Sequence, residues 1–299
     1  MFIDIHGHAT PYKIVHYHTS ADQCFCTPWE LIDLHDFAGI DRGVLLPCTN
    51  PENVPTVQSN EEIIGIWQRY PDRFIPFCNI DPRHCFNTPD ANLGYILDYY
   101  KDQGCRGIGE VCCNLWFDDP RVVNLFDHVE KAGIPLTFHV ATRDHGTYGM
   151  IDTVGLPRLS EQMDRHPDLV WLCHSQSWWA HISGDVTEET WGGYPKGPVT
   201  EGGKVVELMR KNPNAIGDMS AGSGFNAVSR DPEFGYWFMN EFQDQLCFGT
   251  DVCFPTNKSD VLVYLRDFLN AALADGSISQ QVYDKITHQN AIRILGLKG

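Results

Sequence analysis

Eight short apolar runs alternate with longer helical patterns along the 299 residues of the chain. Regular alternation of strand and helix predicts a parallel sheet, because each helix carries the chain back to start the next parallel strand. One strand with its helix needs roughly 30 residues, so eight such units fit this length. The sequence therefore predicts a closed (β/α)8 barrel, with a doubly wound open sheet as the alternative. The predicted strands cover residues 2–5, 43–47, 74–79, 107–111, 135–139, 169–174, 215–220 and 245–249.

The chain has no linker rich in Gly, Pro or Ser, and we expect residues 1–299 to form a single domain. Its longest irregular stretch, residues 175–202, contains Trp178, Trp179 and Trp191. A loop of this length with so many aromatic side chains is typical of a lid or a pocket wall.

Residues that bind metals recur where the predicted strands end. His6 and His8 end the first strand, and side chains two apart on a strand point to the same side. The carboxyl ends of all strands in a (β/α)8 barrel surround one mouth. Imidazole nitrogen and carboxylate oxygen suit zinc, manganese or iron. The sequence thus predicts a metal centre with six candidate ligands: His6, His8, Glu110, His139, His174 and Asp251.

Each candidate ligand also has an ordinary explanation when taken alone. A single histidine at a strand end is more often a hydrogen-bonded core residue, and Asp251 after Gly249-Thr250 could belong to a turn. The joint pattern favours the metal centre, because these residue types end five different strands. His16 and His18 repeat the two-residue spacing, but they follow Pro11 in an expected loop and are interpreted as surface or pocket-rim residues.

Composition narrows the classes of partner. A net charge of -17 disfavours nucleic acid and anionic membrane surfaces, and no apolar run is long enough to predict a membrane span. The 11 cysteines lack regular disulfide spacing and no export signal is recognised, so we expect reduced thiols in a cytoplasmic protein. The expected partner is a small-molecule substrate, and a homo-oligomer is left open.

The ordered motifs resemble those of the amidohydrolase superfamily. They are the His-x-His strand, the lone His139, Leu-Cys-His-Ser at 172–175 and Phe-Gly-Thr-Asp at 248–251. The nearer similarity is to the amidohydrolase-related (amidohydrolase 2) branch, which includes metal-dependent hydrolases and decarboxylases similar to aminocarboxymuconate-semialdehyde decarboxylase. The resemblance spans the chain and implies a metal-dependent enzyme with a TIM barrel of the metallo-dependent hydrolase type.

By position, the resemblance implies that the first metal ion is held by His6, His8, His139 and Asp251. It implies that His174 binds a second ion or positions the reactive water. Glu110 stands where several binuclear members carry a bridging carboxylate, a group that suits ions about 3.5–4 Å apart. The alternative is that Glu110 only accepts a hydrogen bond from a ligand histidine. One or two divalent ions are therefore expected, with zinc favoured over manganese or iron.

The resemblance is compatible with hydrolysis and with decarboxylation, and Glu110 favours hydrolysis of a small-molecule amide, ester or lactone bond by a metal-activated water. Asp251 is then the expected proton acceptor, and His174 holds the second ion or the oxyanion. Arg143, Trp178 and Ser220 are the expected substrate contacts.

Three other functions are weighed against hydrolysis. The first is a metal-dependent non-oxidative decarboxylase of an unsaturated or aromatic acid. The second is a deoxyribonuclease, which the net charge disfavours. The third is a binding protein without activity, which is disfavoured because no ligand position is lost.

Overall fold

A computed structural model of the protein describes residues 1–13, 24–52 and 57–298, so His16 and His18 lie outside the described residues. All eight predicted strands are present, most of them shorter than predicted. One short strand, β6, was not predicted, and it pairs with β5. In chain order the strands are β1 Ile3–Asp4, β2 Arg42–Leu45, β3 Phe74–Pro76, β4 Ile108–Val111, β5 Leu136–Ala141, β6 Met150–Ile151, β7 Trp171–His174, β8 Ala215–Asp218 and β9 Leu246–Cys247.

The strands form two parallel sheets, β1-β2-β3 and β4-β5-β7-β8-β9, whose edges meet on both sides. Cys78 pairs with Ile108 and joins the end of β3 to β4. Gly7 pairs with Val252 and joins the segment after β1 to the segment after β9. The Ile5 amide also donates to the Phe248 carbonyl at 3.0 Å. These contacts close eight strands into a ring, so the predicted (β/α)8 barrel is confirmed and the open-sheet alternative is wrong.

The helices follow the strands in the predicted alternation, and several begin at caps visible in the sequence. The Ser59 amide donates to Glu62 Oε2 at 3.0 Å, and the Glu62 amide donates to Ser59 Oγ at 3.2 Å, which forms a capping box. No helix in the described part of the chain is long and apolar enough to cross a membrane. The α-helices are α1 Pro28–Ala38, α2 Asn60–Arg69, α3 His84–Asn87, α4 Gly94–Asp102, α5 Pro120–Ala132, α6 Pro157–Arg165, α7 Gln176–Ala180, α8 Lys204–Lys211, α9 Ala221–Ser229, α10 Pro232–Glu241, α11 Val261–Ala274, α12 Gln280–Asp284 and α13 Asn290–Leu295.

One cluster of buried side chains supports the site from below. It draws apolar residues from β1, β2, β3, β7, β8 and β9, and Ala291 and Leu295 of α13 pack against them. Leu172 on β7 and Ile216 on β8 belong to this cluster. Because side chains two apart share a face of a strand, His174 and Asp218 continue the same rows toward the carboxyl ends. The apolar cluster therefore lies directly beneath His174 and Asp218, which are nearer the carboxyl ends of their strands.

The segment predicted as a lid or pocket wall, residues 175–202, packs against the rest of the protein through buried tryptophan side chains. Residues 176–180 form α7, and no further helix or strand is present among residues 181–202. Trp178, Trp179 and Trp191 are each at most 2% exposed. The segment therefore contributes its three tryptophan side chains to the core.

Candidate metal centre

His6, His8 and Asp251 form a compact triangle of donor atoms. His6 Nε2 and His8 Nε2 are 3.3 Å apart. Asp251 Oδ1 lies 3.6 Å from His6 Nε2 and 3.5 Å from His8 Nε2. Ligands about 2.1 Å from a zinc ion, at tetrahedral angles, lie about 3.4 Å from one another. The triangle thus has the dimensions of one face of a tetrahedral site.

A second group of donors lies beside the first. Ligand atoms of Glu110, His139 and His174 all lie within 4.8 Å of one another. Within this group, Glu110 Oε1 lies 3.8 Å from His174 Nε2. His139 and His174 lie on the neighbouring strands β5 and β7, where they are paired in register. The parallel register therefore brings together two histidines that are 35 positions apart in the sequence.

Two carboxylates connect the two groups. Glu110 places Oε2 at 3.7 Å from His6 Nε2 and Oε1 at 3.8 Å from His174 Nε2. Asp251 uses Oδ1 toward His6 and His8, and its Oδ2 lies 3.9 Å from His174 Nε2. Each carboxylate thus offers one oxygen to each group. The six residues predicted as ligands lie together in this arrangement.

The electrostatics of the cluster favour a cation. Burial lowers the pKa of His6, but the charges of Asp218 and Asp251 more than offset it and hold the pKa well above 6.5. Burial also disfavours a charged His8, yet its hydrogen bond with Asp251 raises the His8 pKa to about 10. For His139, burial outweighs the opposing charges of Glu110 and Asp251 and lowers the pKa to about 4. The site stabilises positive charge near the carboxylates and keeps the His139 imidazole neutral.

Glu110 supplies an independent indication that the site fits a metal ion. Burial raises the pKa of Glu110, but its contacts with His6 lower it to well below the ordinary value, so the group is ionised. Its Oε1 atom is buried and has no hydrogen-bond partner among the described residues. A buried anionic oxygen without a partner is costly, and a bound cation would satisfy it. The nitrogen and oxygen donors also suit zinc, manganese or iron.

Asp218, at the end of β8, is a site residue that the sequence analysis missed. It is fully buried, and its Oδ2 accepts a 2.6 Å hydrogen bond from His6 Nδ1. The same oxygen is 3.5 Å from His174 Nδ1, and Oδ1 accepts the Ser220 amide at 3.0 Å. A proton held on His6 Nδ1 leaves the Nε2 lone pair free for a metal ion. The sequence contains one indication of this role, which is an acidic residue within a largely apolar predicted strand, residues 215–220.

Asp4 was also missed, and it fixes the chain on either side of the metal centre. Asp4 Oδ1 accepts the His6 amide at 3.0 Å and the Thr250 amide at 2.9 Å. Its Oδ2 accepts the Thr250 hydroxyl. The buried Asp4 carboxylate therefore joins the segment after β1, which contains His6, to the turn that contains Asp251.

The three expected substrate contacts occupy different environments. Arg143 is exposed on the loop after β5, and its guanidinium donates to the Gly146 carbonyl at 3.1 Å. Trp178 is fully buried in the core. The Ser220 hydroxyl lies 3.0 Å from His174 Nδ1 and so helps to orient that imidazole. Contact of these residues with a substrate stays a prediction.

Replacing Asp218 tests its role as the partner of His6. We expect Asp218→Ala to weaken metal affinity by about 10–100-fold, because His6 loses the acceptor that fixes its tautomer and orientation. Affinity is measured by competition with a chromophoric chelator. Asp127→Ala is the matched control, because Asp127 Oδ1 contacts His166 Nε2 at 2.9 Å in another histidine–carboxylate pair. Equal affinities for the two variants would contradict this role.

Comparison with known proteins identifies the family of the chain and supports the fold. The amidohydrolase family model matches residues 3–297, and no curated protein sequence matches the chain. Three similar solved structures show the fold. A TIM-barrel protein from Bordetella bronchiseptica is 17% identical, with a TM-score of 0.62 and coverage of 99% of this chain and 98% of that chain. A probable 2-pyrone-4,6-dicarboxylic acid hydrolase from Acinetobacter baumannii is 16% identical, with a TM-score of 0.58 and coverage of 99% of each chain.

The third structure is 5-carboxyvanillate decarboxylase from Sphingomonas paucimobilis. It is 19% identical, with a TM-score of 0.56 and coverage of 90% of this chain and 83% of that chain. These structures support the barrel, and the family match confirms the resemblance predicted from the strand-end motifs. The chain belongs to the amidohydrolase family.

Proposed function

We propose that the protein is a metal-dependent hydrolase that cleaves an amide, ester or lactone bond of a small molecule. Membership of the amidohydrolase family supports metal-dependent catalysis. The observation that carries the choice of hydrolysis is the position of Glu110, with one oxygen toward His6 and the other toward His174. A carboxylate shared in this way suits a pair of ions, and a pair of ions can hold both a nucleophilic water and the scissile group.

We propose that all six residues bind the ions and that zinc is the natural metal. His6 and His8 would hold one ion, His139 and His174 would hold the other, and Glu110 and Asp251 lie between the two groups. This assigns His139 to the second ion and not to the first ion that the resemblance implied, because its ligand atom lies with those of Glu110 and His174. A divalent ion bound there supplies Lewis acidity, which polarises a carbonyl and lowers the pKa of water.

Asp251 has the position that a proton acceptor needs. Its side chain is 25% exposed, whereas the side chains of Glu110 and His8 are 9% and 6% exposed. A carboxylate at the open side of the cluster can take a proton from water and return it to the leaving group. His174, held on its Nδ1 side by Ser220, directs Nε2 toward the carboxylates, as a ligand of the second ion requires. With one ion only, the same nitrogen would be free to stabilise a developing oxyanion.

Arg143, Trp178 and Ser220 are the proposed contributors to substrate binding. Arg143 is an exposed cation after β5 and would bind a substrate carboxylate. Trp178 would support the pocket wall from within the core. Ser220 would act at the base of the pocket beside His174.

Decarboxylation is the second candidate, because one of the similar structures is named a decarboxylase of an aromatic acid. Such a reaction would use an ion to bind the carboxylate that is lost. Glu110 would then serve only as an acceptor for the histidines. The two candidates differ in their products, which makes them separable.

Product analysis in water enriched in oxygen-18 tests the proposed reaction. Zinc-loaded protein is incubated with panels of esters, lactones and amides, and with unsaturated and aromatic carboxylic acids. We expect turnover in the first panels, with one solvent oxygen incorporated into the acid product, and no release of carbon dioxide. Carbon dioxide release from the acid panel, without hydrolysis, would contradict the proposal and favour the lyase.

Asp251→Asn tests the proposed proton transfer. For a substrate found in those panels, we expect kcat to fall by roughly 10²–10⁴-fold while KM changes little. Asp144→Asn is the control, because that carboxylate is exposed and pairs with His145. Metal content is measured in parallel, so that a lost ion is not mistaken for a lost base. An unchanged kcat in Asp251→Asn would rule out this role.

A further inference from the structure

Cys253 lies beside the triangle formed by His6, His8 and Asp251, and no metal-binding role follows from the motifs for this thiol. We propose that Cys253 is a thiolate ligand of the metal centre, acting with His8 and Asp251, and that it strengthens the preference of the site for thiophilic divalent ions such as zinc over manganese. The inference rests on the proposed metal-dependent function and concerns which ion that centre selects.

The distances fit a shared ion. Cys253 Sγ lies 3.6 Å from Asp251 Oδ1, and the same oxygen lies 3.5 Å from His8 Nε2. Ligand atoms of His8, Asp251 and Cys253 all lie within 4.8 Å of one another. A sulfur about 2.3 Å and an oxygen about 2.1 Å from a tetrahedral zinc lie about 3.6 Å apart. The thiol therefore already has the separation from Asp251 that joint coordination requires.

The backbone holds this thiol in place. The Asp251 amide donates to the His6 carbonyl at 2.8 Å, and Asp251 adopts a left-handed conformation with φ of 56°. The Cys253 amide donates to Asn257 Oδ1 at 3.2 Å, and the Cys253 carbonyl accepts the Cys26 amide at 2.8 Å. Both sides of Cys253 are thus anchored, so its thiol needs little ordering to reach an ion.

Cys48 offers a useful contrast. Its Sγ lies 3.8 Å from His8 Nδ1, the nitrogen that also donates to the Leu46 carbonyl at 3.1 Å. Cys48 therefore faces the opposite ring nitrogen from the Nε2 that meets Asp251. The geometry points to Cys253 as the thiol of the two that can share an ion with His8.

Coordination by Cys253 exchanges a bond to hydrogen for a bond to the metal ion. The S–H bond is lost, a sulfur–metal bond forms, and the proton leaves to solvent. Sulfur is a soft donor, so it adds more affinity for zinc, cobalt or cadmium than for manganese. A centre of imidazole and carboxylate alone already binds zinc more tightly than manganese, and a thiolate widens this difference. The thiol would therefore sharpen the metal selectivity of the site.

Cobalt is a suitable probe, because a cobalt–thiolate bond produces a charge-transfer band in the near ultraviolet. Full-length protein is stripped with chelator and titrated with Co²⁺. We expect the band in the unaltered protein and its loss in Cys253→Ser, with visible ligand-field bands and bound cobalt retained. Cys85→Ser is the matched control and should keep the band, since that partly exposed thiol lies 3.9 Å from the Tyr95 hydroxyl. Cys253→Ser should also reduce the ratio of zinc to manganese affinity by at least about tenfold.

The outcomes separate this inference from the proposed function. Bound cobalt with ligand-field bands but no charge-transfer band in the unaltered protein would overturn thiolate ligation and leave the metal centre standing. A band that persists in Cys253→Ser would also overturn it. Failure of the folded protein to bind cobalt at all would overturn both the metal centre and the role of Cys253.

Discussion

The hydrogen bonds between the segments after β1 and β9 position three of the six donor side chains of the site: His6, His8 and Asp251. The Asp251 amide donates to the His6 carbonyl at 2.8 Å, and the His8 amide donates to the Val252 carbonyl at 3.1 Å. These bonds close the barrel and also set the spacing of three donor side chains. Asp4 strengthens the same junction through Thr250. Barrel closure and the placement of these three donors are therefore consequences of the same contacts.

The site concentrates negative charge where water is largely excluded, and that arrangement needs positive charge to balance it. Glu110 and Asp251 divide their oxygens between two sets of imidazoles, and Asp218 approaches His6 and His174 from the opposite side. The raised pKa of His6 and the lowered pKa of Glu110 are two results of this crowding. A divalent ion would provide the missing charge without a proton. The fold therefore prepares a cation site before any substrate is considered.

Much of this arrangement could be predicted from the sequence because it follows from periodicity. Short apolar runs identified the eight barrel strands, and parallel strands end at the same mouth. Six donor residues at strand ends were accordingly expected together, and the structure places them together. The exact strand bounds were less predictable, because residues such as Asn79 and Ser220 continue a strand direction without its ladder bonds.

The missed features depend on distant contacts. Asp218 and its partner His6 are 212 residues apart, so no local pattern shows that this acid orients a ligand. Asp4 lies in a strand of two residues. In the sequence it is only a polar residue among apolar ones, and its role appears from its contact with Thr250. The strand β6 also has only two residues, and it is defined by its pairing with β5 and not by a sequence pattern. The proposed role of Cys253 depends on the turn that places its thiol 3.6 Å from Asp251 Oδ1.

The most direct measurement is metal content per chain, by elemental analysis of protein purified without chelator, compared with the Glu110→Gln variant. Glu61→Gln provides a control, because that exposed glutamate accepts a hydrogen bond from the Tyr100 hydroxyl at 2.8 Å. A centre shared by two carboxylates predicts about two equivalents in the unaltered protein and the control, falling toward one in Glu110→Gln. About one equivalent in all three proteins would contradict the shared centre and make Glu110 an acceptor for the histidines alone.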